Sequence, residues 1–479
     1  MRGGTVKNGK NRLIVRGLLA LIVVGLALGG WKVFQWQSRL VDVGGVRIDP
    51  LAEIHPNRRY EVVLWEPDLF IPGGGTNPQR EAVLEAVREL SHIYPNISVE
   101  VVFIDPAELP SRLQEALDAG MPPDIAGTML GHRFDTPLQI PVTPFLSEVN
   151  RADLAAPAVA GVTIGDTMWA WPRWITMDLW LHHASIDGFT MASGALDDDT
   201  FLERARAVQP NRHVLAYNAY DPRLFAGMIT ATTGHGLYDE TGTLQWTEEA
   251  MLQAAHFLHS LQQEKLMSAQ PEQVSRSRLE NFWERQAAAV APVNHLLLHH
   301  AFTRVGELTH PEESDAAAGH SSSVLAVTSP PYFGDHLVGV SGYVAGYAVF
   351  RREPHVGDDH TRAVMLVADH LSRRLGLWQA SRLLAIPAHP SSLSKWAVGT
   401  GLPAVHTNAL VALAERLTAP PADHHIARLE AEALEKVIAP KLFDLLAGRL
   451  DPRAFVEAVR RELEAIAAAR LGTLRAIQP

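Results

Sequence analysis

"MWAWPRWITMDLW", residues 168–180, gathers four tryptophans, Trp169, Trp171, Trp174 and Trp180, around a single Pro172-Arg173. The run is neither an amphipathic helix nor a plain core strand. Indole at this density either packs a core or forms a wall against which a flat ligand lies. Trp169 and Trp171 flank Ala170 and share one face of an extended chain, with Arg173 beside them as a hydrogen-bond donor. Tryptophan is usually largely buried, so about half of the four rings are expected to be core. Trp171 and Trp174 are the stronger candidates for a ligand surface and Trp180 the weakest.

Upstream, strands alternate with helices. "YEVVLW" (60–65) is a short apolar run of strand type, and "NPQREAVLEAVRELSHIYP" (77–95) carries apolar residues at helical spacing up to Pro95. "ISVEVVFI" (97–104) alternates as a strand, and "PAELPSRLQEALDAG" (106–120) reads as a helix closed by Gly120. "PDIAGTM" (123–129) is a third strand. Such alternation predicts an α/β fold with a mainly parallel sheet, which binds ligands beyond the carboxyl ends of its strands. Helical patterns dominate 197–305, with Thr247 capping a long amphipathic run. Strand character returns at 339–350, a helix follows over 361–376, and the C-terminal region is helix after helix.

The 479 residues, 47% hydrophobic and 20% charged, suffice for two domains or one large bilobal body. A net charge of −11 argues against nucleic acid as a partner. There is no cysteine, which removes disulfides, thiolate metal sites and lipid attachment through sulfur. At the N-terminus, Arg2, Lys7, Lys10, Arg12 and Arg16 precede a charge-free run from Gly17 to Trp31. With flanking apolar residues it reaches the ~20 residues that cross a bilayer. Residues 1–16 are expected in the cytoplasm, 17–36 as a transmembrane anchor or uncleaved signal, 37–58 as a linker, and the body outside the membrane. Ala27-Leu28-Gly29 keeps a cleaved signal peptide open as the alternative.

The order of these stretches resembles the extracellular solute-binding proteins of ABC transporters, family 1, the sugar-binding type related to maltose-binding protein. "YEVVLWEP" is similar to that family's opening strand, "LQEALDAGMPPDI" to its Ala-Gly-x-x-Pro-Asp signature, and "TPFLSEVNRADL" to its proline-bearing loop. "GDTMWAWPRWITMDLWLHHASI" resembles its aromatic-proline segment and following strand, and "FWERQAAAVAPVNH" its helix-to-strand step. "GYAVFRREPHVGDDHTRAVMLVADHLS" is similar to its return strand and helix, and "AGRLDPRAFVEAVRRELEAI" to its closing helix. The likeness runs in order from about 60 to 470. Two departures stand out: Arg285-Gln286-Ala287-Ala288-Ala289 replaces a Gly-Lys-x-Ala-Met step, and Leu181-His182-His183 replaces Tyr-Asn-Lys.

The resemblance implies a two-lobed periplasmic-binding-protein-like fold of type II. Residues 59–170 and 335–385 would form the N-terminal lobe, and 171–334 and 386–479 the C-terminal lobe. "WAWPRWI" would then fall at the first crossing between lobes, at the mouth of the cleft. It also implies a non-catalytic receptor that delivers a carbohydrate to an ABC permease by closure of its lobes, anchored by its N-terminal helix. A membrane-anchored sensor or surface interaction protein on the same fold, or a receptor for a non-sugar solute, are the alternatives. Trp65, Glu66, Asp68, Trp169, Trp171, Arg173, Trp174, Trp283, Asn294 and Tyr343 are the candidate ligand-binding residues. Tyr217 and Tyr220 are weaker ones, and Tyr332 and Phe333 are expected near a second crossing.

No hydrolase motif accompanies the abundant acids, so neither catalytic residues nor a cofactor is expected. "GVSGY" lacks nucleophile-elbow spacing and reads as a strand bend, and "GGGTNP" lacks the lysine of a phosphate loop. The pairs His182-His183, His299-His300 and His424-His425 are expected in core or surface roles, since adjacent histidines point apart and no zinc motif is present.

Overall fold

The computed structural model describes residues 37, 39–69, 77–183, 197–208, 213–218, 221–267, 282, 287–293, 295–304 and 325–477. The expected span at 17–36 lies outside these. Among the described residues no helix is long and apolar enough to cross a membrane.

The first sheet is built from β1 (Tyr60–Pro67), β2 (Ile97–Ile104), β3 (Ile125–Thr128) and β4 (Trp171–Met177), then β9 (Val340–Phe350) and β10 (Ile386–Pro387), in the spatial order β10–β4–β9–β3–β1–β2. β1 runs parallel to β2 and β3, whereas β9 is antiparallel to β3 and β4. Helices α1 (Pro78–Ile93) and α2 (Leu109–Asp118) supply the crossovers, α1 starting at Asn77, whose side chain accepts from the Arg80 N–H. Gly120 follows α2 in the left-handed conformation, φ +70°.

The second sheet takes β5 (Leu179–His183), β6 (His213–Ala216), β7 (Ala287–Val293) and β8 (Leu325–Thr328) in the order β6–β7–β5–β8. Around it lie α3 (Asp198–Val208), α4 (Arg223–Thr233), α5 (Glu248–Gln263) and α6 (His295–Arg304). Thr247 caps α5 as expected, accepting from the Ala250 N–H. Past the first sheet's long helix α7 (Asp358–Leu383) come α8 (Leu393–Thr400), α9 (Ala404–Ala414), α10 (His424–Ala433), α11 (Ala439–Leu446) and α12 (Pro452–Ile477). A wide π turn at Leu434–Ile438 joins α10 to α11, because Pro440 has no N–H for the carbonyl four residues back.

Two cores follow. One surrounds Val62, Leu64, Trp174, Val344 and Leu371. The other gathers Trp180, Phe225, Met251, Leu258, Leu445 and Phe455. An apolar seam links the halves, since Leu181, Val327, Leu298 and Phe302 join Leu410 and Leu413 in the first core.

The chain passes between sheets three times: at Asp178 between β4 and β5, over 329–339 between β8 and β9, and over 415–423 between α9 and α10. Trp171–Met177 thus hydrogen-bonds inside the first sheet, where the sequence reading placed it at the start of the second lobe. The tryptophan run ends at the crossing instead of forming it.

The first core encloses a charge. Glu66, at the end of β1, is 0% exposed, as is Arg173 on β4, and Arg173 Nη1 donates to both Glu66 oxygens at 2.8 and 3.1 Å. Tyr347 Oη donates to Glu66 Oε2 at 2.9 Å, and Gln379 Nε2 to Oε1 at 3.2 Å. Trp174 Nε1 donates to Gln379 Oε1 at 3.1 Å. Burial raises the Tyr347 phenol pKa, so it stays protonated and donates. The sequence pattern stops the helix at Gly376, yet α7 continues to Leu383. A Cβ on Gly376 would come within 2.8 Å of the Arg173 carbonyl oxygen, so this glycine marks close helix–strand packing and not a helix end.

Removing one member of a buried ion pair strands the other's charge, at a cost of about 3–5 kcal/mol. Glu66→Ala is expected to destabilise the chain by that amount in urea unfolding, against less than ~1 kcal/mol for the exposed-pair variant Glu89→Ala. Equal losses would contradict the assignment.

Candidate functional site

A cavity of about 230 Å³ lies where the first and third crossings meet the start of β9. Asp178 lines it from the first crossing, Ser341, Gly342 and Tyr343 from the start of β9, and Thr418 and Pro420 from the third crossing. Arg223 and Thr230 of α4, Trp246, and Glu430 of α10 close it from the second lobe, and Leu130 faces it from the first.

The crossings approach closely because glycine permits it. A Cβ on Gly342 would sit 2.1 Å from the Thr176 carbonyl oxygen, so Asp178 and Tyr343 are brought to one place. The Asp178 N–H bonds the Ser341 carbonyl at 2.9 Å.

Arg223 is the first residue of α4, where the helix dipole disfavours a cation. It is held by Asp221, which accepts from Nε at 2.9 Å and Nη2 at 2.6 Å, and by Asp178, which accepts from Nη1 at 3.3 Å. Burial pushes the Asp178 carboxyl up to about 6 against the attraction of Arg223, with Asp221 adding repulsion. Burial likewise pushes Glu430 up to about 7, opposed by backbone hydrogen bonds from Tyr238 and Leu237. Three buried polar atoms of the lining residues have no hydrogen-bond partner: Glu430 Oε2, Ser341 Oγ, and the indole Nε1 of Trp246, a residue only 4% exposed. An unpaired acceptor and an unpaired donor therefore belong to side chains that line one cavity.

The sequence candidates fall into several places. Tyr343 lines the cavity, and its ring leans on Trp174, centroids 6.1 Å apart. Trp174 is 0% exposed and Trp171 2%, the latter with Nε1 on Met365 Sδ at 3.4 Å. These two rings, expected at the cleft, are core side chains because β4 is buried on both faces. Glu66 and Arg173 are spent on each other in the same core. Trp65 is half-buried against the cluster of Phe134 and Phe350. Asp68 pairs with Arg80 at 2.5 Å, a hydrogen bond that lowers its carboxyl pKa. Trp169 is half-buried beneath the guanidinium of Arg133, 5.3 Å from its ring centroid. Trp180 belongs to the second core, as expected. Tyr217 and Phe333 are buried, whereas Tyr332 is half-buried. Trp283, Asn294 and Tyr220 lie outside the described residues.

A larger hollow, about 650 Å³, lies between Tyr332–Leu337 and α9. Its polar residues Asp335 and His336 are exposed, and none of its lining atoms is a buried polar group lacking a partner. The smaller cavity carries the chemistry. His182 Nε2 meets Thr328 Oγ1 at 2.8 Å and His183 Nε2 the Phe282 carbonyl at 2.7 Å, both inside the protein. Burial lowers His182 to about 3 and His424 to about 4, so both are neutral. Among the described residues no three metal-ligating groups converge.

Arg223, Trp246 and Glu430 escaped the sequence reading. Arg223 left a trace, a cation directly after Pro222 at a helix start, against the dipole. Trp246, just before the capping Thr247, left a weaker one. Glu430 is one of two acids on α10 and left none.

No family model and no curated protein matches this chain. Solved structures do share its fold. The sugar-binding protein MalE of Xanthomonas citri superposes with TM-score 0.67 at 15% identity, over 87% of this chain and 99% of that one. The GacH receptor of Streptomyces glaucescens, solved unliganded and with acarbose, gives 0.60 at 13%, over 85% and 98%. A maltose/maltodextrin-binding MalE domain of Bdellovibrio bacteriovorus, bound to maltotriose, gives 0.56 at 15%, over 85% and 99%. The fold is the two-lobed periplasmic-binding-protein-like fold.

Glu430 also sets a pH dependence. Its folded pKa, about 7, exceeds the ordinary glutamate value of about 4.3, so the unfolded chain loses its proton first. Stability from this group is therefore full below pH ~4.3 and is lost as pH rises towards 7. Glu430→Gln is expected to stabilise the protein by on the order of 2 kcal/mol at pH 8 and hardly at all at pH 4. Urea unfolding at both pH values decides, and an effect independent of pH would contradict it.

Proposed function

We propose that the chain is an extracytoplasmic, non-catalytic receptor that binds a carbohydrate in this cavity and presents it to an ABC permease. The observation that carries the reading is the pair of unpartnered buried atoms, Trp246 Nε1 and Glu430 Oε2, on one cavity. A ligand must accept from the first and donate to the second, and a hydroxyl does both. Aromatic walls from Trp246 and Tyr343 suit the C–H faces of a sugar ring, in the usual pattern of an apolar site with a few placed polar groups. The volume, about 230 Å³, equals roughly eight waters at ~30 Å³ each, room for about one ring.

The solved structures of like fold support the reading, since those named above are sugar-binding proteins or were solved with a saccharide. The basic N-terminus and apolar run at 17–36 support export with retention at the membrane. Asp178 and Thr418 belong to different crossings and Tyr343 to the start of β9, just past the second, so a ligand between them acts on the joints about which two lobes close.

A true ligand binds only the folded state and raises the melting temperature, by the equivalent of ~2.7 kcal/mol at a hundred times its dissociation constant. Saccharides titrated into the whole chain are expected to do so. Trp246→Phe, which keeps the ring and loses the donor, is expected to weaken binding about ten-fold, or ~1.4 kcal/mol. If no saccharide shifts the transition while another solute class does, the carbohydrate assignment fails.

A further inference from the structure

The charges around the cavity do not balance. Asp178 and Glu430 line it, and among the described residues Arg223 is the only lysine or arginine that does. That guanidinium is already engaged bidentately by a third carboxylate, Asp221, with its remaining Nη1 turned to Asp178. With its acids ionised, the group holds three negative charges against one positive. A neutral polyol would satisfy the hydrogen bonds and leave the excess charge uncompensated. A protonated amine would satisfy both, because an ammonium donates up to three hydrogen bonds and charge-assisted bonds to carboxylates are the strong ones. The unpartnered Nε1 of Trp246, on a side chain 4% exposed, still calls for a hydroxyl acceptor on the same ligand.

We propose that the ligand is an amino sugar, its protonated nitrogen against Glu430 and Asp178 and a hydroxyl against Trp246. This rests on the reading above that the cavity holds a carbohydrate, and narrows it. Burial of Glu430 agrees: its acid, held up near 7, is a group whose ionisation a cationic ligand stabilises.

The test compares glucose, glucosamine, N-acetylglucosamine and putrescine on the whole chain by thermal shift and calorimetry at pH 7.5. Glucosamine is expected to bind about ten-fold or more tightly than glucose, with the advantage lost on N-acetylation, which removes charge and keeps the ring. Glu430→Gln is expected to erase the preference. The N-acetyl comparison needs no mutation and stands if that variant does not fold. Equal affinity for glucose and glucosamine overturns the amine assignment and leaves the carbohydrate reading intact. Putrescine binding without any sugar, or no binding by the whole panel, overturns both.

Discussion

A glutamate paired with an arginine and closed off from water is the constraint on which this fold turns. Glu66 ends β1 at the position where doubly wound sheets open to ligands, yet it faces inward. A buried carboxylate is tolerable only when paired and hydrogen-bonded, so Arg173 must come from β4, Tyr347 from β9 and Gln379 from α7. Four elements remote in sequence are thereby fixed about one point. Gly376 follows from the same demand, because the helix carrying Gln379 must lie against the Arg173 backbone.

That arrangement reaches the site mechanically. Trp174 bonds Gln379 and supports the ring of Tyr343, and Asp178 follows β4 by one residue. The tryptophan stretch thus backs the cavity while most of its rings stay in the core. On the far side Arg223 occupies an electrostatically poor place at a helix N-terminus, and Asp221 and Asp178 stabilise it there. Charges fixed in advance suit recognition, since little ordering cost falls on binding.

How much of this was readable follows from what each residue type signals locally. The strands at 60–67 and 97–104 and the capped α5 announce themselves by alternation and by Thr247, because those patterns depend on neighbours in sequence. The order of motifs supplied the two-lobed fold. The length of α7 was hidden, since Gly376 is a helix breaker locally and a spacer only in the presence of Arg173. Glu66 and Arg173 were singled out as polar groups near aromatics, but sequence does not tell a ligand partner from a core partner; pairing across 107 positions does. Tyr343 was reached through the family likeness. Glu430 was invisible because its distinction is burial, not spacing.

The lobes also touch away from the cavity, and this bears on how a ligand acts. His132 and Arg133 give backbone N–H bonds to the Ala422 carbonyl at 2.6 and 2.8 Å, and Arg133 pairs with Asp423 at 3.2 Å. Gly131, at φ +68°, lets this loop rest on α10, where a Cβ would lie 2.6 Å from His424 Cα. The ion pair is partly exposed and worth at most ~1 kcal/mol, so the two backbone bonds and the glycine contact hold this edge. Such an edge amounts to a few kcal/mol, the scale on which a two-state equilibrium is biased by a ligand with unequal affinity for its states. α10 carries both the clasp at His424 and the cavity carboxylate at Glu430, about 1.7 turns apart. A ligand drawn to Glu430 therefore acts on the same rigid helix that the first lobe grips, and recognition and closure share one lever.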